Sequence, residues 1–452
     1  AYENLIASGN QVEQVRFVDP EGQVESVSLY ALSIKHQATT SDDVIYGFEG
    51  NDVINADDDN DIVHAAAGDD VIIGGRGNDF LQGGSGSDKY LFSAGSGHDV
   101  IDNNDKQASS VDVIEFDDSI NRKQVRLLRA GDDLLISIDR NKDSIQLKGY
   151  FEGDDVSLSA VDEIRFSDGA VLTVEDIRIL SLDATQGADY IEGFSSDDAI
   201  SALAGDDIVY AGNGDDLVAG EQGADLIYGE NGNDMLFGNQ DRDQLYGGQG
   251  NDVLDGGKDS DRLYGSAGED LLKGGDGDDY LDGGAQNDEL LGNNGDDSIY
   301  GMRGNDLIAG GRGDDQLNGG FGDDLIKGDA GDDSYHYSLG DGEDVLIDSS
   351  GYDVLSLSGI DIHQVWLTQQ QDDLLIEFLG EQGEITIKDW NSSGDRAIDE
   401  IHLGEMALVN SQIDSLVQAM AAFDPESASG TDQFTMTETL EPVLAASWQP
   451  SS

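Results

Sequence analysis

Cysteine is absent from all 452 residues, which excludes disulfides and thiolate metal ligands. Proline occurs four times and aromatic residues make up 7% of the chain. Basic residues are scarce: 23 lysines and arginines face 95 acidic side chains, a formal net charge of −72. That charge repels the phosphates of nucleic acid and disfavours unaided docking on anionic lipid, so neither is an expected partner. No run of 18 apolar residues occurs, and no transmembrane segment is expected. The opening AYENLIASGN lacks the basic and apolar regions of a cleavable signal peptide and has no initiating Met, which reads as a chain cut from a longer protein. With only 37% hydrophobic residues, composition alone describes a disordered polyanion.

A strict period overrides that description. From Asp189 to Asp333 an aspartate stands every nine residues, seventeen in phase. A shorter ladder carries Asp43, Asp52, Asp61, Asp70, Asp79 and Asp88. Two residues after each aspartate sits an apolar side chain, such as Ile191, Val209, Leu236 or Ile326, and Tyr90 and Tyr335 close the two ladders. Glycines precede many of the aspartates, as in G-G-Q-G-N-D (Gly247 to Asp252) and G-G-R-G-D-D (Gly310 to Asp315). The first ladder is ragged at its start, where A-D-D-D-N-D leads to Asp61 with no glycine at all. In the second, Asp241, Asp259 and Gln286 replace the fourth-position glycine, and Ser195 interrupts an early turn.

A unit with three residues of strand and six of turn cannot bury its one apolar side chain alone. Wound into a flattened parallel coil, two units make an 18-residue turn, and successive strands alternate between two sheets with the apolar residue between them. Seventeen half-turns give about eight coils, a stack of roughly 40 Å at ~4.8 Å per layer. The glycines permit tight left-handed turns. Stacking also lines up the aspartates along each edge. At about 5 Å, each like-charged pair costs ~1 kcal/mol in water and several times more at an effective dielectric of ~20. A hard cation that takes six to eight oxygens from carboxylates and turn carbonyls relieves this; calcium suits it, whereas magnesium demands tighter geometry and holds its waters.

The pattern G-G-x-G-x-D-x-U-x resembles the calcium-binding nonapeptide of the RTX (repeats-in-toxin) family. The resemblance covers both ladders. It implies ions held between turns by the sixth-position aspartate and backbone carbonyls. Carried onto this sequence, the metal-ligand candidates are Asp52, Asp70, Asp79 and Asp88 in the first ladder. In the second they are Asp207, Asp216, Asp225, Asp234, Asp252, Asp270, Asp279, Asp297, Asp306, Asp315, Asp324 and Asp333. The family resemblance also implies export in the unfolded state by type I secretion machinery, directed by an uncleaved C-terminal signal, with folding once extracellular calcium is met. The expected location is therefore secreted or cell-surface.

The expected fold class is all-β: two calcium-stacked parallel β-rolls, each followed by an antiparallel β-rich capping domain, with a short C-terminal helix. Residues 1–40 read as the tail of a preceding cap unit, because V-E-Q-V-R-F-V-D (Val12 to Asp19) reappears as V-D-E-I-R-F-S-D (Val161 to Asp168). Asp19-Pro20 reads as a turn rather than a self-cleavage site. Residues 41–92 form the short roll and 93–180 its cap; 181–337 form the long roll and 338–423 the second cap. The caps are duplicates: G-H-D-V-I (Gly97 to Ile101) matches G-E-D-V-L (Gly342 to Leu346), and D-D-L-L-I recurs at Asp132 and Asp372. Ser411 to Phe423 places Ile413, Leu416, Val417 and Met420 on one helical face, with Ser411 and Asp414 as a capping pair. Residues 424–452 read as a flexible tail carrying the secretion signal.

The six histidines are scattered, and no Ser/His/Asp or H-E-x-x-H grouping emerges. No catalytic residue is assigned, and the chain reads as a non-enzyme. Trp366 and Trp390 fall in strand patterns and read as core rather than as sugar platforms. The leading function is a calcium-dependent folding and secretion region of a larger toxin or adhesin. Two alternatives stand beside it: a calcium-dependent module that grips host or surface glycans, and a non-catalytic appendage of a secreted enzyme.

Overall fold

The computed structural model describes residues 6–8, 11–18, 24–28, 35–103, 110–140, 142–151, 161–390, 397–421 and 442–450, with side chains from residue 38 onward. Asp19-Pro20 lies outside the described residues. The chain divides into two compact units, residues 1–183 and 184–452, each described by itself.

In the second unit the nonapeptides alternate between two sheets of 13 and 12 strands. Each strand pairs in parallel with the one 18 residues on, so Leu245 lies beside Leu263 and Leu254 beside Leu272. Every position-8 side chain from Val209 to Leu317 is completely buried between the sheets. Two-residue alternation explains this, because the residues on either side of position 8 must point outward. On one outer face Tyr210, Tyr228, Tyr246 and Tyr264 stack with centroids 4.7–4.9 Å apart, the spacing of the coils themselves. Their 18-residue spacing in sequence is the visible trace of this row.

The first unit repeats the plan in two seven-stranded sheets. Strands Val53–Asn55, Val71–Ile73 and Lys89–Phe92 stack in parallel in one sheet, and Val44–Tyr46, Ile62–Ala67 and Phe80–Ser85 in the other. Ahead of them, Ile6–Ser8, Gln11–Val18 and Val24–Ser28 form a separate antiparallel sheet.

Both caps grow out of their rolls without a break in hydrogen bonding. Val113–Phe116 and Glu163–Phe166 continue the first roll in parallel before Val171–Thr173 closes that sheet antiparallel. On the other sheet Asp143–Leu147 continues in parallel, and Asp133–Ile138 and Val125–Ala130 return antiparallel. The second cap does the same with Glu384–Ile387, Asp373–Phe378 and Val365–Gln370. Ending each roll in antiparallel strands pairs the edge of its last parallel strand and caps the stack. Trp366 and Trp390 are buried in this cap.

Three local features differ from the sequence reading. A short helix, Val174–Leu180, follows the first cap; Thr173 Oγ1 accepts from the Asp176 amide, and Asp176 Oδ2 accepts from the Thr173 amide. The C-terminal helix runs Asn410–Met420 and buries Ile413, Leu416 and Met420, but Val417 is only half-buried. Its first turn is closed by Gln412 Oε1, which accepts from the Val409 amide at 2.9 Å, rather than by Ser411 and Asp414. The tail expected to be flexible over 424–452 is ordered at its end. Residues 442–447 are helical, Leu444 and Trp448 are buried, and Gln449–Pro450 pairs antiparallel with Met406–Val409. Leu444 and Trp448 are four apart and so share one face of a helical turn, an apolar pair that a solvated tail would leave in water.

Candidate metal centre: two ladders of buried carboxylates

The aspartates leave the strands at the two edges of each roll and turn inward. From Asp207 to Asp333 each is at most 3% exposed. Their geometry repeats with little variation. The backbone amide of one aspartate donates to Oδ1 of the aspartate one coil further on, as from Asp234 to Asp252 and from Asp297 to Asp315, both at 2.8 Å. The same bond links Asp52 to Asp70 at 2.7 Å and Asp61 to Asp79 at 2.8 Å in the first unit. One carboxylate oxygen is thereby spent on tying coils together.

The other is left over. Oδ2 of every ladder aspartate from Asp207 to Asp333 is buried with no hydrogen-bond partner, and so is Oδ2 of Asp61, Asp70 and Asp79. Buried polar atoms are ordinarily satisfied, so a repeated orphan needs a cause. Burial pushes Asp279 and Asp306 up to about 6, Asp252 and Asp315 to about 7, and Asp261 and Asp297 to about 8. Each does so against the pull of the amide bonded to Oδ1.

The space in front of each orphaned oxygen explains the first glycine of the motif. A Cβ built on Gly292 would stand 2.6 Å from the Gly310 carbonyl oxygen and nearer still to Asp297 Oδ2. Gly265 sits likewise before the Gly283 carbonyl, at 2.6 Å, and Asp270 Oδ2. A carboxylate oxygen and a carbonyl oxygen therefore converge on one small cradle, which only glycine leaves open. A hard cation with oxygen ligands at roughly 2.3–2.6 Å is the group these residues fit.

The fourth position behaves differently from its sequence signal. Asp241, Asp259 and Gln286 adopt φ of 71°, 69° and 87°, positive as at Gly250, where φ is 125°. The short polar side chain of aspartate tolerates positive φ, and the longer Gln286 adopts it as well. Asp243, Asp261 and Asp288, which follow these substituted turns, consequently show the same amide bond and the same orphaned Oδ2 as their neighbours. Asp61 does so behind its glycine-free loop, with Asp57 and Asp59 at φ of 68° and 80°. All sixteen candidate aspartates lie in the two ladders, buried. The sequence reading passed over these four, and it missed the cap aspartates that extend the rows. Asp99 accepts from the Asp79 amide at 2.9 Å, Asp344 from Asp324 at 3.1 Å, and Asp353 from Asp333 at 2.9 Å. The matching G-H-D-V-I and G-E-D-V-L segments were the signal that marked the first two.

Fold and edge chemistry together define a parallel β-roll built around rows of cation-seeking carboxylates. The RTX calcium-binding nonapeptide repeat model matches in overlapping segments that span 37–101 and 181–342, just over half of the chain. The chain belongs to the RTX family, whose repeats are generally structural rather than catalytic. A second model, the haemolysin-type calcium binding protein related domain, matches residues 133–176, inside the first cap. Among curated proteins, the iron-regulated protein FrpA of Neisseria meningitidis serogroup C is 34% identical over 112 residues. That match takes in 25% of this chain and 10% of FrpA. Among solved structures, the extracellular lipase LipA from Serratia marcescens is 15% identical, with 80% of this chain and 40% of that chain covered and a TM-score of 0.16, too low to carry a structural argument. No helix among the described residues is long and apolar enough to cross a membrane.

Proposed function

We propose that this chain is the calcium-gated folding region of a larger bacterial exoprotein, a toxin or adhesin. On this reading it leaves the cell unfolded through type I secretion machinery and folds on meeting extracellular calcium. The observation that carries it is the unbroken row of buried, unpartnered Oδ2 atoms from Asp207 to Asp333. A polyanion built this way has no stable folded form at neutral pH without cations, so the metal's binding energy becomes its folding energy. The ligands are the sixteen aspartates of the two ladders, joined by Asp61, Asp243, Asp261 and Asp288 on the strength of their identical geometry. The region supplies no catalysis of its own, and the two rolls with their caps, 41–180 and 181–423, act as separate calcium-folded modules.

The test is circular dichroism of the full chain at neutral pH under calcium titration. Expected is a disordered spectrum in chelator, a steep rise of β-signal with calcium, reversal on chelation, and little effect of magnesium at equal concentration. Unchanged β-structure in excess chelator would overturn the reading.

A further inference from the structure

The two roll–cap junctions are copies of one another, and one exchanged residue separates them. At the end of the short roll the Tyr90 hydroxyl donates to Asn103 Oδ1 at 2.9 Å. The Asn103 amide in turn donates to Asp112 Oδ2 at 2.7 Å. At the end of the long roll Tyr335 stands for Tyr90, Asp353 for Asp112, and Asp348 for Asn103, again thirteen residues after the tyrosine. The Tyr335 hydroxyl still donates, now to Asp348 Oδ2. A carboxylate has no N–H to pass on. Asp353 Oδ2 is accordingly left without a partner, as is Asp333 Oδ2 beside it, and both residues are completely buried.

Three carboxylates therefore meet where the first junction has two and an amide. One oxygen from each of Asp333, Asp348 and Asp353 lies within 4.8 Å of the others. That spread suits a single ion roughly 2.3–2.6 Å from each oxygen. A Cβ on Gly328 would collide at once with the Tyr335 hydroxyl, Asp333 Oδ2 and Asp348 Oδ2, so the glycine keeps open a point that all three oxygens face. The repeat cradles at Gly229, Gly265, Gly292 and Gly301 differ, since the groups nearest their glycines are one carboxylate oxygen and a backbone carbonyl.

We propose that Asp333, Asp348 and Asp353, with the Tyr335 hydroxyl, form an additional divalent-cation site that locks the second cap to the long roll and has no counterpart at the end of the short roll. The inference rests on the calcium reading for the nature of the ion. More carboxylate ligands raise affinity for calcium, so this site fills before the repeats and empties after them. At the first cap Asn103 satisfies Asp112 Oδ2, so that junction needs no ion beyond one that Asp88 takes as a ladder ligand.

The test uses crystals of the full chain grown in calcium, with anomalous scattering recorded at long wavelength. Expected is a peak enclosed by Asp333, Asp348 and Asp353, and no peak shared by Asp88, Asn103 and Asp112 together. Peaks in the repeat turns without one at Asp348 would overturn this inference alone; peaks nowhere would overturn the calcium reading as well. In solution, native mass spectrometry should show Asp348→Asn binding one calcium fewer per chain and the reciprocal Asn103→Asp binding one more. The second variant keeps the test decisive if the first folds poorly, and an unchanged count in Asn103→Asp would count against the site.

Discussion

Acid should substitute in part for calcium. Asp252 and Asp315 are pushed by burial up to about 7 from an ordinary 3.8. A carboxyl whose folded value is raised binds more protons in the fold than in the unfolded chain. Its contribution to the ion-free fold is therefore complete below about 4 and is lost as pH rises through about 7. At pH 7.5 each such aspartate disfavours the ion-free fold by ~4 kcal/mol, at about 1.36 kcal/mol per pKa unit. At pH 5 the figure falls to ~2 kcal/mol by the same conversion. A handful of these residues at neutral pH outweighs the roughly 5–15 kcal/mol of a typical domain. Calcium-free protein should thus be disordered at pH 7.5 and regain β-structure as pH falls towards 5, which circular dichroism in chelator, at concentrations low enough to avoid precipitation near the pI of 4.1, would record. With calcium in excess the dependence should reverse, because protons compete for the ligands. Calcium-free protein that gains structure as pH rises would refute the reasoning, since the orphaned oxygens would then not govern the fold.

Two further outcomes follow from particular contacts. Gly274→Ala would drive a Cβ into Asp279 Oδ2 and close its cradle. It should cost about 1–3 kcal/mol as overpacking and raise the calcium midpoint of folding, whereas a surface change such as Lys273→Ala should leave that midpoint within error. Removing residues 442–450 withdraws Leu444, Trp448 and the short strand paired with Met406–Val409. Calorimetry of the calcium-loaded chain should show the transition of the second unit fall in temperature while that of the first stays put; an unshifted pair of transitions would mean the terminal segment contributes nothing to the cap.

Some of this architecture is legible because it is periodic. A position-8 apolar residue every ninth position, from Val209 to Leu317, has one efficient burial: between two sheets of a coil of 18 residues. The duplication of ladder and cap was equally open to reading, since D-D-L-L-I and its companions recur in order. The glycine code was legible only in part. The first glycine reports a cradle that admits no Cβ, so its presence is informative. The fourth reports a left-handed φ, which Asp241, Asp259 and Gln286 also supply, so its loss at those turns misled.

What the sequence by itself determined is the repeat, its winding and the need for cations, because these follow from spacing and charge within nine or eighteen residues. Tertiary structure alone decided three things. It showed that one oxygen of each aspartate is consumed by the neighbouring coil and the other is orphaned, a division set by backbone amides 18 residues away. It docked the C-terminal segment, whose partner strand lies some forty residues upstream in Met406–Val409. And it brought Asp348 to Asp333 and Asp353, turning one exchanged residue in a duplicated cap into a difference in the chemistry of two junctions. The last two depend on groups that no local period relates, and the first on which oxygen the neighbouring coil consumes, so only packing could decide them.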